Sequence, residues 1–174
     1  MTTSADNDDD PGEPGLIAVL PALSAAAMPL NLQWVRAKLA AALVHVDRPI
    51  REVTLKIVDD AAMRDLHARH RRTAGTTDVL TFDHSAPQGP LEADIVICVD
   101  EAARRAAELD LPIEREVLLY ALHGVLHCAG FDDRTPEDFK AMHAEEDRIL
   151  VAIDVGPTFG ADTNEDMIGG SRGD

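Results

Sequence analysis

Aromatic residues are scarce, with four Phe, one Trp and one Tyr in 174 residues. A core with so few rings must be aliphatic, and the 45% of residues that are apolar supply Leu, Val, Ile and Ala for it. Cysteine is rarer still. Cys98 and Cys128 make no disulfide framework, which points to a reducing compartment and hence the cytoplasm. No apolar run approaches the ~20 residues of a membrane span. The segment from Gly15 to Met28 has the apolar core and small residues of an export signal. What precedes it is acidic, whereas such a signal needs a positive leader. Neither export nor a membrane partner is expected. Basic residues are in deficit, 16 Lys and Arg against 32 Asp and Glu, for a net charge of −16. That balance argues against broad DNA binding, which needs clustered cations on phosphates. It leaves room for a local basic patch.

The excess charge is unevenly spread. Residues 1–14 hold five acids and no base, and residues 155–174 hold four acids and one arginine. Both ends read as solvated, flexible acidic tails. Residues 15–154 remain as one domain, with a net charge of −8.

Within that domain Leu16–Leu20 reads as a short strand, and Asn31 to about Val46 has helical periodicity. Alternation at Val53, Leu55 and Ile57 predicts a half-buried strand, followed by a helix from Asp60 to Arg72. Asp78–Phe82 and Ala93–Asp100 are further strands. Helices follow from Asp100 to about Leu109 and from Pro112 to about Ala129, with Pro112 in the first turn and Gly130 just past the end. A last helix starts at Thr135 as cap and Pro136 as first residue, and reaches about Leu150. Central strands flanked by five helices predict one domain of α+β or mixed α/β type.

The chemistry sits in L-H-G-V-L-H-C-A-G-F-D-D, Leu122–Asp133. His123 and His127 are one helical turn apart and project from one face, so both can reach a single ion. Gly130 stops the helix and lets the chain turn back, which can deliver Asp132 or Asp133 as an oxygen ligand. Three protein ligands and an open position make a catalytic rather than a structural zinc site. Two histidines on a buried helix can equally be satisfied by backbone carbonyls, and the spacing alone does not choose. The pattern H-x3-H-x2-G-x2-D also has the ligand spacing of metzincin proteases. Those enzymes need Glu directly after the first His as base, and here that residue is Gly124. Protease chemistry is not expected.

H-G-V-L-H-C-A-G-F-D-D resembles the signature of the YbeY family, bacterial endoribonucleases of ribosomal RNA maturation, which runs H-G-x-L-H-L-x-G-[YF]-D-H. Further segments agree in the expected order. L-H-A-R-H-R-R-T-A-G-T-T-D-V-L-T-F resembles the family's L-N-x-x-Y-R-x-x-x-x-P-T-D-V-L-S-F; A-D-I-V-I-C resembles its G-D-I-x-I-C; M-H-A-E-E-D-R-I-L resembles its closing helix. The resemblance covers roughly residues 50–150. It implies a compact α+β domain with a mixed sheet and the metal site on the histidine helix. It also implies one divalent ion, zinc by family habit, and metal-dependent cleavage of single-stranded RNA. The implied setting is the small ribosomal subunit, in 16S ribosomal RNA 3′-end maturation and ribosome quality control.

Carried over residue by residue, the ligands are His123, His127 and Asp133, and Arg71 falls on the family's arginine, where it would pair with the phosphate. Asp133 stands where the family has a third histidine, a ligand set that also suits Fe(II) or Mn(II). His67 and His70 replace the family's Asn and Tyr, Thr76 its Pro, and Ala93 its Gly. Arg69, His70 and Arg72 lie in the chain's one basic concentration and are the expected RNA contacts. Asp132 can orient a ligand histidine from behind. Two rival readings remain at this level. One is a ribosome-assembly binding factor whose ion is structural or lost, and the other is a metallohydrolase of small phosphoesters.

Overall fold

The computed structural model describes residues 16–21, 29–71 and 78–159, with the backbone alone at 16, 21, 70 and 71. Strand β1 (Leu16–Pro21) is followed by α1 (Leu32–Leu43), β2 (Ile50–Val58), α2 (Asp60–Arg71), β3 (Val79–Asp83) and β4 (Leu91–Cys98). Three helices complete the domain, α3 (Val99–Leu109), α4 (Ile113–Ala129) and α5 (Pro136–Ala152). The sheet has the order β1-β2-β4-β3. β1 and β4 both run parallel to β2, while β3 pairs antiparallel with β4. The expected mixed sheet and five helices are present, and the domain is a single α+β unit.

Strand alternation assigns the two faces of the sheet. Val53, Leu55 and Ile57 of β2 and Ala93, Ile95 and Ile97 of β4 join the main core, with α1, α4 and α5. Val58, Val96 and Cys98 turn the other way and pack with Leu80 and with Met63 of α2. Helix α4 contributes buried residues nearly all round, so it lies inside the domain.

Several boundaries differ from those read in the sequence. Helix α1 is capped by the Asn31 side chain, which accepts from Trp34 N–H, and it ends at Leu43 rather than Val46. β4 stops at Cys98 because Val99 and Asp100 already belong to α3, with no linker between strand and helix. Asp100 is drawn into that first turn by a tertiary bond, accepting from Asp60 N–H. Pro112 precedes its helix as the cap rather than occupying the first turn; its extended ψ of 139° is the one proline leaves open. Thr135 caps α5 as expected, accepting from Asp138 N–H, with Pro136 first.

Burial pushes the Cys98 thiol up to about 11, and its Sγ donates to Asp60 Oδ1. Hydrogen bonds from Arg104 hold the Asp60 carboxyl down at about 2. Val155–Phe159, which the sequence reading puts in the acidic tail, pack against α5. Val155 N–H donates to Leu150 O, and the N–H groups of Thr158 and Phe159 donate to Asp147. Residues 1–14 and 160–174 of the expected tails lie outside the described residues. Among the described residues no helix is long and apolar enough to cross a membrane.

Candidate metal centre

The site is set by how α4 ends. Gly130 adopts φ +108°, a left-handed conformation that glycine takes without a Cβ penalty. The turn is closed by Gly130 N–H to His127 O and Phe131 N–H to Leu126 O. It sends the chain back over the last turns of the helix and brings Asp133 opposite the two histidines. Ligand atoms of His123, His127 and Asp133 all lie within 4.8 Å of one another. The two Nε2 atoms are 2.9 Å apart, and Asp133 Oδ2 is 3.8 Å from each.

The partners behind the rings decide what those Nε2 atoms offer. His123 Nδ1 is 2.7 Å from Glu146 Oε1, and His127 Nδ1 is 3.1 Å from the Phe131 carbonyl. A carboxylate and a carbonyl only accept, so each Nδ1 carries the hydrogen and each ring turns its Nε2 inward, which as the free base offers a lone pair. Two Nε2 atoms at 2.9 Å, with a carboxylate oxygen beside them, need a cation between them, either a proton shared by the rings or a metal ion. A point equidistant from the three atoms is about 2.1 Å from each, the length of a zinc bond to imidazole or carboxylate. The residues therefore fit a divalent ion with three protein ligands. Burial opposes protonation of His123, but the Glu146 hydrogen bond and charge, with Asp133 and Asp78 beyond, raise its pKa above the ordinary histidine value.

The site opens into a cleft of about 600 Å³. Its walls are β3, the end of α4, the Asp132–Arg134 turn and His67 of α2. Gly124 explains how closely α4 approaches the sheet. A Cβ there would lie 2.9 Å from Thr81 Oγ1 and 3.0 Å from Ile95 Cγ2. A glutamate base of the protease type has no room at that position. Overpacking costs about 1–3 kcal/mol, against a gain of ~1 kcal/mol from replacing a helical glycine. A Gly124→Ala variant should therefore lose about 1 kcal/mol net in urea denaturation. A variant more stable than wild type would mean that Ile95 yields freely.

Of the other residues singled out in the sequence, Asp132 lines the cleft, but its carboxylate is engaged elsewhere. Oδ1 accepts from Asp133 N–H and Oδ2 lies 3.1 Å from Arg134 Nε. The ring-orienting work is done by Glu146 and the Phe131 carbonyl. Arg69 is exposed on α2. His70 and Arg71 are the last two residues of that helix, with side chains outside the described set, and Arg72 lies outside it altogether. His67, by contrast, faces the cleft.

Glu146 is the functional residue that sequence reasoning missed. It is 0% exposed and holds His123 through one oxygen and His143 through the other. A signal was present, because Glu146 interrupts the buried stripe Met142, Ile149 and Leu150 of α5. A lone acid at a core position of an amphipathic helix needs a buried partner.

Comparison with known proteins agrees with this architecture. The family model described as Endoribonuclease YbeY matches residues 28–154. Relatives named Endoribonuclease YbeY from Mycobacterium tuberculosis and Mycobacterium marinum are each 38% identical over 113 residues, covering 59% of this chain. The same alignments span 64% of the relatives' own length, just under two thirds. The solution structure of TM1509 from Thermotoga maritima shares the fold, with a TM-score of 0.51 over 86% of this chain and 99% of that one, at 22% identity. The family match takes in every element around the candidate metal centre, from α1 through α5, and the chain belongs to the YbeY family.

Proposed function

We propose that this protein is a metal-dependent endoribonuclease that cleaves single-stranded RNA. Its setting is the cytoplasm and its substrate ribosomal RNA of the small subunit, in 16S 3′-end maturation and ribosome quality control. One observation carries the reading: two imidazole nitrogens and a carboxylate oxygen come together in the lining of an open cleft. His123, His127 and Asp133 would hold the ion. When bound, the ion supplies Lewis-acid chemistry at a phosphoryl group.

The chain's own residues do the rest. Glu146 and the Phe131 carbonyl keep both rings in the tautomer that presents Nε2 to the cleft. Arg134 lines the cleft as a cation among Asp78, Asp83, Asp132 and Asp133. Arg71, at the end of α2, would pair with the scissile phosphate and steady charge as it develops. Arg69, His70 and Arg72 would guide the flanking strand. Zinc is the ion favoured by two imidazoles and the family habit, while Asp133 also suits Fe(II) or Mn(II).

The test is cleavage of end-labelled single-stranded and duplex RNA by protein as purified, after chelation, and after return of one ion. Cleavage of the single strand should vanish on chelation and come back with about one equivalent of metal. Cutting that persists in metal-free protein would sink the proposal. The acidic lining favours one rival, a ribosome-assembly factor without catalysis. It would show as ribosome binding that survives chelation with no cleavage under any ion.

A further inference from the structure

Beyond its ligands, the metal centre reaches a third histidine, in the M-H-A-E-E-D-R-I-L helix, and a stretch of chain after it that no sequence motif marks. Glu146 is fully buried, and its carboxylate stands between two rings, with His123 Nδ1 at 2.7 Å on Oε1 and His143 Nδ1 at 2.6 Å on Oε2. A glutamate's terminal torsion is broad and roughly two-fold. A single bond to His123 would leave the carboxylate free to turn about it. The second bond, from one turn earlier on α5, fixes the carboxylate plane and so the direction in which His123 Nε2 points.

His143 is itself clamped. Phe159 stacks on it at 3.7 Å between ring centroids and 25° between planes, and Phe139 meets it edge-on at 4.0 Å. Phe159 arrives there by a built route. Arg115 Nη2 donates to the carbonyls of Gly156 and Pro157, and Asp147 accepts from Thr158 and Phe159 N–H. The strap Val155–Phe159 is thus tied to α4 at one point and to α5 at another, with its terminal ring closing over His143.

We propose that His143 is a positioning residue of the metal centre, and that the strap Val155–Phe159 holds it in place. The chain from Phe159 through His143 and Glu146 to His123 couples the end of the domain to the geometry of the ion site. This inference rests on the metal-centre reading above. Partners behind metal ligands typically change affinity by about 10- to 100-fold when removed. His143 stands one step further back, and the lower end of that range is the expectation.

The experiment measures zinc affinity by chelator competition, together with the visible spectrum of the cobalt-substituted protein, for wild type, His143→Leu and His143→Asn. Asparagine keeps an N–H near the position of Nδ1, whereas leucine leaves Glu146 Oε2 without a donor. The expected result is about tenfold weaker zinc binding and an altered cobalt spectrum for His143→Leu, with His143→Asn close to wild type in both. Equal affinity for wild type and His143→Leu overturns the inference, and so does an asparagine variant as weak as the leucine one. If His143→Leu does not fold, Phe159→Leu carries the test: weaker binding of the ion supports the coupling, and unchanged affinity overturns it. A wild-type protein that takes up no ion removes the metal-centre reading itself, which separates the two failures.

Discussion

An Asp133→Ala variant will bind zinc at least about a hundredfold more weakly than wild type, and cleavage of single-stranded RNA will fall with it. The scale follows from ligand count, since even partners behind a ligand are worth about 10- to 100-fold, and Asp133 would be the third of three ligands. Its removal leaves two nitrogens 2.9 Å apart with no oxygen to complete the set. Stability should hardly change. The Asp133 side chain is 40% exposed, and its near neighbours are the two ligand histidines. Exposed substitutions of this kind usually stay within about 0.5 kcal/mol. Loss of affinity with an unchanged melting curve therefore reports on the site and not on the fold. Asp133→His, which restores the family's usual residue, should keep the ion and shift preference from manganese towards zinc. Elemental analysis and calorimetric titration decide the matter, and wild-type affinity in Asp133→Ala would exclude a His-His-Asp site.

How far the site was legible depended on which forces act locally. The histidine spacing, the glycine stop and the returning aspartate are properties of one helix end, and twelve consecutive residues display them. The strands at Val53–Ile57 and Ala93–Ile97 were equally plain, because each alternates against a core. The β4–α3 junction was not. Val99 and Asp100 continue an apolar-then-acidic pattern that suits a strand end as well as a helix start, and the choice is made by a bond from Asp60, forty residues away. Gly124 looked like an absent base; its reason is the nearness of Thr81 and Ile95, which no local pattern shows. Asp132 and Glu146 differ on the same ground. Asp132 is adjacent in sequence but occupied by its own turn, whereas Glu146 is fourteen residues further on and buried against the ring. Val155–Phe159 carry no helical or strand periodicity, and only tertiary bonds to Arg115 and Asp147 order them.

The same burial makes the loss of Glu146 costly to the fold. Glu146→Ala leaves Nδ1 of His123 and of His143 without an acceptor in the interior, and a cavity where the carboxylate was. A buried donor left unsatisfied costs about 1–3 kcal/mol, and two are left here, for about 2–6 kcal/mol in all. For a domain of this size each kcal/mol corresponds to about 2–4 °C, so the melting temperature should fall by roughly 4–24 °C. Glu146→Gln separates the two consequences. The amide fills the same volume and offers one acceptor and one NH₂ group, so it can accept from only one of the two rings in their present tautomers. If the oxygen goes to His143, the ring of His123 must accept from the amide at Nδ1 and carry its hydrogen on Nε2, where the ion would bind. The glutamine variant should therefore keep most of its stability and still lose about 10- to 100-fold in zinc affinity. Thermal melts of metal-free protein beside zinc titrations test both halves. An alanine variant that melts within a degree or two of wild type would mean that water enters and satisfies the two rings. A glutamine variant that binds zinc normally would mean that the Glu146 charge does not set the His123 tautomer.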